Sequence, residues 1–308
     1  MTDENPAQND AKAPFKSGFV TIVGMPNAGK STLINAFLQK AMCITSFKPQ
    51  TTRYHLRCIA TSADRQIIFV DTPGWISSQK QMDKLLRKEI YRGAEGVDVI
   101  VYVIDATRMN IEANRDAWKS LVTSSKAHRV LALNKIDKFS RLQLIPMLDM
   151  LQKTFEPEVL VPVSAFKRTN IDELDRVVTA FLPTGPKYYP EEQVADRPTE
   201  FLLSEFIREQ LYFVTREELP FSCAVQVESF EEADNKYAMS AAIYVEKDSQ
   251  KGILIGAKGS MIKDIRERAT KRIHEFLGKG SKVKLELTVA VKKNWRQDPM
   301  ILKSLGFE

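Results

Sequence analysis

The chain has 308 residues, of which 44% are hydrophobic, and a formal net charge of +6. This length predicts two domains with separate cores, and the absence of an eighteen-residue apolar run argues against a membrane-spanning helix. Residues 1–15 are polar, lack a signal-peptide apolar segment, and are predicted to form a disordered tail. The three cysteines are far apart in the sequence, fit no disulfide or metal spacing, and indicate a reduced cytosolic chain.

The first motif is a glycine-rich loop. Residues 24–31 read G-M-P-N-A-G-K-S, after a β-branched run at 19–23 and before a helical pattern at 32–38. In this strand–loop–helix context the loop backbone and the helix N-terminus present N–H groups to phosphate. We expect Lys30 to neutralise β- and γ-phosphate oxygens and Ser31 to bind Mg²⁺.

The next segment, residues 49–53, reads P-Q-T-T-R. A threonine hydroxyl here can complete the Mg²⁺ shell only while a γ-phosphate is present, so the segment would order with GTP and relax after hydrolysis. We favour Thr52 over Thr51 for this contact. A β-branched pair in an exposed loop is the alternative.

The sequence D-T-P-G at 71–74 follows a short buried-strand pattern at 67–70. Asp71 at the end of that strand can hold Mg²⁺ through water, and the Gly74 N–H can sense the γ-phosphate. Trp75 follows, where Ras-like enzymes carry glutamine. Because an indole cannot orient the attacking water as an amide does, we expect slow hydrolysis by the chain alone.

Asn27, inside the glycine-rich loop, is a candidate ligand for a monovalent cation such as K⁺. Such a cation would supply charge near the transferring phosphate, where an arginine finger otherwise stands.

Base choice is predicted from N-K-I-D at 134–137, which follows a strand pattern at 130–133. An ionised Asp137 accepts hydrogen bonds from N1–H and the N2 amine of guanine. Adenine offers neither donor there, and such a polar match can reject the wrong ligand by roughly 10⁴-fold. Asn134 and Lys135 would brace the loop and cover the ring.

The last nucleotide motif is Ser164-Ala165, which follows a strand pattern at 159–163. We expect the Ala165 N–H to meet guanine O6. Strands alternate with helical stretches through residue 183, which predicts a parallel sheet wrapped by helices.

A proline-rich stretch then interrupts the pattern, and residues 184–199 are predicted to be a linker. A helix is predicted at 200–211, with strands near 221–230 and 237–246. A last strand, with charged and apolar residues alternating, is predicted at 282–289.

A motif typical of nucleic-acid binding follows in this half: G-A-K-G at 256–259. We expect an apolar turn before it and a basic helix after it, in an α–β–β–α–α–β order that resembles a KH domain of the bacterial type. Such a loop lets a nucleic-acid backbone approach closely, and Lys258 at its tip would meet phosphate. The bases would pack in an apolar groove formed by Ile253, Leu254, Ile255 and Ile262.

Charge is unevenly distributed in this half. Residues 200–250 contain 4 basic and 11 acidic residues, whereas 251–308 contain 14 and 6. A directed polyanion-binding face is the prediction, and a merely solvated face is the alternative. Near its end, V-K-K-N-W-R at 291–296 offers cations for phosphate and an indole that either stacks a base or packs on the domain.

These motifs together resemble the Era family of GTPases along nearly all of residues 16–306. The predicted fold class is α/β: a P-loop NTPase G domain with a mostly parallel sheet at 16–183, then a smaller α+β type II KH domain with a basic tail at 200–308. The resemblance implies GTP hydrolysis with Mg²⁺, binding to the 3′ region of 16S rRNA, and a role in 30S subunit maturation. We expect a cytoplasmic monomer, with peripheral contact at the inner face of the membrane left open.

The predicted site residues form three sets. Those for nucleotide binding are Gly24, Asn27, Ala28, Gly29, Lys30, Ser31, Thr32, Asp71, Thr72, Pro73, Gly74, Asn134, Lys135, Asp137, Ser164, Ala165 and Phe166. Those for catalysis are Lys30, Thr52, Gly74 and Asn27, with Ser31, Thr52 and Asp71 as metal ligands. Those for RNA binding are Ile255, Gly256, Ala257, Lys258, Gly259, Ile262, Lys263, Lys292, Lys293, Trp295 and Arg296.

Two other functions compete with this interpretation. The first is an RNA-binding module whose nucleotide site only senses GTP, with negligible turnover. The second is a tRNA-modifying GTPase, which would require extra catalytic cysteines or a cofactor domain, and the sequence contains neither.

Overall fold

The computed structural model of the chain describes residues 14–45, 56–71, 96–215 and 219–297. Within these ranges the chain forms two sheets, one of six strands and one of three. Both sheets carry helices, and no helix in these ranges is long and apolar enough to cross a membrane.

The six-stranded sheet has the order β2-β3-β1-β4-β5-β6. Its strands are β1 (Lys16–Gly24), β2 (Arg57–Thr61), β3 (Arg65–Asp71), β4 (Val99–Asp105), β5 (His128–Asn134) and β6 (Val159–Pro162). All neighbours are parallel except the antiparallel pair of β2 and β3. The predicted α/β class with a mostly parallel sheet is therefore confirmed.

Within the described ranges, the α-helices of this half are α1 (Lys30–Leu38), α2 (Ile111–Ser124), α3 (Arg141–Phe155) and α4 (Ile171–Phe181). Helix α2 begins after Asn110, whose side chain accepts the N–H of Ala113 and so satisfies one free donor of the first turn. Ser140 and Gln143 form a capping box at the start of α3. These caps explain where the two helices begin.

Hydrophobic burial fixes the central strands. All seven residues of β4 are buried, as expected for a strand covered by helices on both faces. Each fully buried valine or isoleucine contributes about 1.5–3 kcal/mol of transfer free energy. Because the parallel strands all end at the same edge of the sheet, the segments after Gly24, Asp105 and Asn134 meet there.

The predicted linker at 184–199 is held against the sheet. The Ile59 N–H of edge strand β2 donates to the Val194 carbonyl at 2.9 Å, and the Gln66 side chain accepts the Tyr188 N–H at 2.7 Å. The prolines end the helical pattern as expected, but the extended backbone finds hydrogen-bond partners along the sheet edge.

Cys43 and Cys58 lie closer together in the fold than their separation in the sequence suggests. Although 15 residues apart in the chain, they are both buried, and their sulfurs lie 3.5 Å apart as free thiols. Folding brings them together because β2 returns past the segment that follows α1.

The second half has the predicted α–β–β–α–α–β order with one short helix added. Its sheet, β7-β8-β9, is antiparallel between β7 and β8 and parallel between β8 and β9. Its elements are α5 (Thr199–Val214), α6 (Leu219–Ser222), β7 (Ala224–Ala233), β8 (Lys236–Val245), α7 (Asp248–Ile255), α8 (Ser260–Leu277) and β9 (Lys282–Val291). The predicted apolar turn at 252–255 is instead the last turn of α7.

Helices α5 and α8 pack together over this sheet. The Phe206 and Phe276 rings lie 5.0 Å apart, and Ile265, Ala269 and Ile273 of α8 are fully buried. These apolar residues recur at three- and four-residue spacing, which is why α8 buries one face and exposes its basic one.

Candidate nucleotide site and nucleic-acid interface

The glycine-rich loop connects β1 to α1 in a left-handed, tightly curled path. Asn27 has φ 62° and Gly29 has φ 100° immediately before the first turn of α1. Lys30 is buried, and its Nζ donates to the carbonyls of Gly24 at 3.1 Å and Met25 at 3.0 Å. The ammonium is thus held inside the loop, where a bound phosphate would meet it.

Two glycines are required by close neighbours as well as by backbone conformation. A Cβ on Gly24 would lie 2.3 Å from the Val103 carbonyl oxygen, and one on Gly29 would lie 2.2 Å from Asn134 Nδ2. Any larger residue would push the loop away from β4 or from the base-recognition segment.

Asn134, at the end of β5, joins three loops. Its Nδ2 donates to the Ala28 carbonyl at 2.8 Å, and its Oδ1 accepts the Ala165 N–H at 3.0 Å. Asn134 is 2% exposed, so these bonds are shielded from competing water. The predicted bracing role of Asn134 therefore has a direct structural basis.

Lys135 reaches back over the phosphate-binding loop. Its Nζ donates to the Asn27 carbonyl at 2.8 Å and to Asp105 Oδ2 at 2.6 Å. Asp105 also accepts the Thr107 N–H, so the carboxylate is fixed before it receives the lysine. The two bonds fix the end of the Lys135 side chain, and its contact with the ring of a bound base stays a prediction.

Asp137 is prepared to accept hydrogen bonds as an anion. The Ser164 hydroxyl donates to Asp137 Oδ1 at 2.6 Å and holds the pKa of the carboxyl below its usual range. The Ser164 oxygen in turn accepts the Lys167 N–H at 3.1 Å. The two recognition loops, which the sequence places 27 residues apart, therefore form one polar unit.

The Ala165 N–H, assigned to guanine O6 from the sequence, donates to Asn134 in this structure. Its observed role is to brace Asn134, and a contact with guanine would have to share that donor. The next residue, Phe166, is 78% exposed, with the Lys167 ammonium 5.4 Å from its ring centre. An exposed aromatic at the rim is placed to cover a flat ligand, which stays a prediction.

The predicted metal and γ-phosphate ligands are only partly described. Ser31 and Thr32 lie in the first turn of α1 and are half-buried. Asp71 ends β3, where it pairs with Ile22 of β1. Thr52, Thr72, Pro73 and Gly74 lie outside the described residues, as does Trp75.

The G-A-K-G segment forms a tight turn between α7 and α8. Gly256 has φ 72° and Gly259 has φ 78°, and Ala257–Gly259 is a single 3₁₀ turn. A Cβ on Gly256 would lie 2.7 Å from the Met261 Cβ. Lys258 is left-handed at φ 50° and exposed at the tip, where a phosphate could approach it.

The apolar groove beside this turn is smaller than predicted. Ile253 is 56% exposed and Ile255 36%, with Ile262 half-buried beside them, but Leu254 is fully buried. Consecutive positions of α7 point in different directions, so the expectation for Leu254 was wrong. Lys263 is exposed on the first turns of α8.

The basic segment after β9 likewise contains both buried and exposed residues. Trp295 is 2% exposed and packs with Ala224, Ala242 and Tyr244, so the packing alternative holds and its indole is not available to stack a base. The Lys292 ammonium lies 3.8 Å from the Tyr244 ring centre. Lys293 and Arg296 are exposed, and their RNA-binding roles stay predictions.

The fold and these two sites define a P-loop protein with guanine specificity that carries a KH domain at its carboxyl end. Family models agree: residues 19–135 match the 50S ribosome-binding GTPase model and residues 218–296 match the KH domain model. The GTPase Era of Lactobacillus delbrueckii subsp. bulgaricus is 40% identical over 95% of this chain and 96% of its own. That of Clostridium acetobutylicum is 38% identical over 96% and 98%. The chain therefore belongs to the Era family of GTPases.

Two solved structures agree with this assignment. One is a variant of Aquifex aeolicus Era bound to GDP and AlF₄⁻, and the other is an Era in complex with MgGDPNP and nucleotides 1506–1542 of 16S ribosomal RNA. Each is 34% identical with a TM-score of 0.84, and each match covers 95% of this chain and 99% of the other.

Proposed function

We propose that this GTPase binds the 3′ region of 16S rRNA through its KH domain and acts as a GTP-switched factor in 30S subunit maturation. The observation that carries the proposal is the relative solved with MgGDPNP and nucleotides 1506–1542 of 16S rRNA. This chain keeps a glycine-rich turn with an exposed lysine beside exposed isoleucines, which suits a single-stranded RNA backbone and its bases.

Hydrolysis in this proposal depends on positioning and charge. Lys30 holds its ammonium in the loop and would stabilise negative charge developing on the transferring phosphate. The N–H groups at the start of α1 add partial positive charge at the same place. An attacking water would be held in line with the leaving oxygen, since the protein contributes little covalent chemistry.

The residues present also fit a magnesium ion. The loop leaves a cradle that a Cβ on Gly24 or Gly29 would disturb, and the Ser31 hydroxyl lies in the first turn of α1 beside it. Ser31, with the predicted Thr52 and Asp71, would hold Mg²⁺, which neutralises phosphate charge when bound.

Asp137 determines which nucleotide base is bound. Its carboxylate is ionised at neutral pH, as an ordinary aspartate is, and the Ser164 hydroxyl holds its pKa lower still. It would accept both donors on the Watson–Crick edge of guanine. Asn134 and Lys135 tie this carboxylate's loop to the phosphate-binding loop, so base and phosphate are bound by one connected unit.

The test combines turnover with RNA binding. Multiple-turnover phosphate release should occur with GTP and Mg²⁺, and an oligoribonucleotide of nucleotides 1506–1542 should bind more tightly than a scrambled one of the same length. Release of less than one phosphate per chain would favour the sensing-module alternative. Equal affinity for both RNAs would contradict the proposed target.

We also propose that the chain works as a cytoplasmic monomer on the 30S subunit, with peripheral contact to the inner face of the membrane through its basic surface. Cosedimentation with 30S subunits tests the first part. Binding to vesicles with anionic lipid, absent with neutral lipid, tests the second.

A further inference from the structure

A buried ion pair lies where the KH domain touches the nucleotide-binding half. Glu209 of α5 and Arg272 of α8 meet at 2.8 Å, with their side chains only 5% and 11% exposed. The Arg272 guanidinium also lies over the Phe206 ring, 3.9 Å from its centre. Burying two charges is costly unless they are paired and hydrogen-bonded, so this pair has a narrow set of allowed geometries.

Both partners also bond to the other half of the molecule. Arg272 Nη2 donates to the Ala41 carbonyl at 2.5 Å. Glu209 Oε1 accepts the Thr45 N–H at 2.9 Å and lies 3.4 Å from the Thr45 hydroxyl. The Lys40 ammonium lies 4.2 Å from the Phe276 ring centre of α8. One ion pair therefore holds two points of the segment that follows α1.

That segment runs from α1 to the residues that are predicted to contact the γ-phosphate. It begins at the end of α1, the helix whose first turn follows the phosphate-binding loop, and it leads directly into residues 46–55. Those residues include the P-Q-T-T-R sequence predicted to order with the γ-phosphate. Thr45 directly precedes those residues, so its N–H bond to Glu209 is the contact through which a nucleotide-dependent change would reach the KH domain.

The same ion pair is connected to the RNA-binding turn by a rigid element. Arg272 lies twelve residues after Ser260, the first residue of α8, which directly follows Gly259. At 1.5 Å per residue that separation is ~18 Å of continuous helix. A displacement or tilt imposed at Arg272 would therefore move the G-A-K-G turn.

We propose that Glu209 and Arg272 are positioning residues that couple nucleotide state to RNA affinity, with α8 as the element that transmits the change. This inference rests on the proposed function, because it assumes that the chain binds both GTP and RNA. Coupling of this kind is reciprocal, so RNA must change nucleotide affinity by the same factor by which nucleotide changes RNA affinity.

The experiment measures the dissociation constant of the 1506–1542 oligoribonucleotide in GDP and in GDPNP. Variants Glu209→Gln and Arg272→Gln are compared with Arg268→Gln, which lies one turn earlier on α8 and pairs with the exposed Asp264 at 2.8 Å. For wild type and Arg268→Gln we expect the two constants to differ by about fivefold or more. For the other two variants we expect a ratio below about twofold. The double variant Glu209→Gln/Arg272→Gln should lower the ratio no further than either single variant does, since both residues act as one unit.

Other outcomes distinguish a failure of this inference from a failure of the proposed function on which it rests. Glu209→Gln or Arg272→Gln chains that keep the wild-type ratio would overturn the inference. A wild type that hydrolyses GTP and binds the RNA with equal affinity in both nucleotides would also overturn it, while leaving the function intact. A wild type that ignores the RNA would instead contradict the proposed function.

A conservative variant serves as the control for loss of folding. If Arg272→Gln loses its thermal unfolding transition, Arg272→Lys takes its place, because a single ammonium keeps the charge but cannot serve Glu209 and Ala41 together. The expected ratio is then intermediate between wild type and about one. An unchanged ratio in a folded Arg272→Lys chain would count against the inference.

Discussion

Asn134 donates a hydrogen bond from its side-chain amide to the backbone carbonyl of Ala28, 2.8 Å away and 106 residues earlier in the chain. This bond joins the segment that recognises the base to the loop that binds phosphate. Both residues are buried, so water does not compete for the contact. Nucleotide binding should consequently be sensitive to small displacements between the two loops.

Gly29→Ala tests that sensitivity. The added Cβ would lie 2.2 Å from Asn134 Nδ2 on a residue with φ 100°, so both strain and a clash oppose it. We expect GDP affinity measured by calorimetry to fall about 100-fold. Gly96→Ala is the matched control, because Gly96 has φ 74° but no atom within 4 Å of its built Cβ. Equal losses in the two variants would show that backbone strain alone, and not the clash with Asn134, is responsible.

Lys30→Ala should abolish GTP turnover. The buried ammonium is held at the carbonyls of Gly24 and Met25, and removing it leaves phosphate charge unneutralised, with an expected loss of about 10³-fold in rate. The KH domain should remain folded and bind RNA as before. Phosphate release at the wild-type rate would contradict the assignment of this loop.

Asp137→Asn should change the base preference from guanine to xanthine. An amide can donate to the oxygen that replaces the N2 amine, whereas it cannot accept both guanine donors. We expect guanine affinity to fall by roughly 10⁴-fold and xanthine affinity to rise. The Ser164 hydroxyl lowers the pKa of Asp137, so the carboxylate stays ionised as the pH falls from neutral to mildly acidic. The preference of the wild type for guanine should therefore not change over that range. Competition binding with both nucleotides measures the change, and an unaltered preference would refute the role of Asp137.

Lys258→Ala should weaken RNA binding without regard to sequence. The exposed ammonium at the tip of the turn is placed to meet a phosphate, so its loss should reduce affinity roughly fivefold. The slope of log affinity against log salt should become shallower by about 0.7. Lys236→Ala, at the exposed first residue of β8, is the control. A salt slope that stays at the wild-type value would place Lys258 outside the interface.

Potassium should accelerate turnover if Asn27 binds it. Asn27 lies exposed in the phosphate-binding loop, and its backbone is fixed at φ 62° with its carbonyl bonded to Lys135. We expect hydrolysis to be about tenfold faster in K⁺ than in Na⁺, and equal in both salts for Asn27→Ala. Equal wild-type rates in the two salts would remove this role.

Several predictions from the sequence were wrong or incomplete for a common reason. Leu254 and Trp295 were each assigned a possible ligand contact from residue type, but both are buried. The Ala165 N–H is engaged by Asn134. In each case the outcome depended on which direction a side chain or N–H group faces after packing, and residue order alone carries no such information.

Residue order was enough to predict the alternation of strands and helices, the phosphate-binding loop and the G-A-K-G turn, and it supplied the candidate guanine-recognition residues. It could do so because each is encoded locally: phosphate is bound by consecutive N–H groups, and periodicity records which face of an element is buried. Three other relationships become visible only in the folded chain: Asn134 meets Ala28, Cys43 meets Cys58, and Glu209 and Arg272 bond to the segment after α1. Such contacts join residues distant in the chain, and they exist only once sheet order and helix packing have placed them.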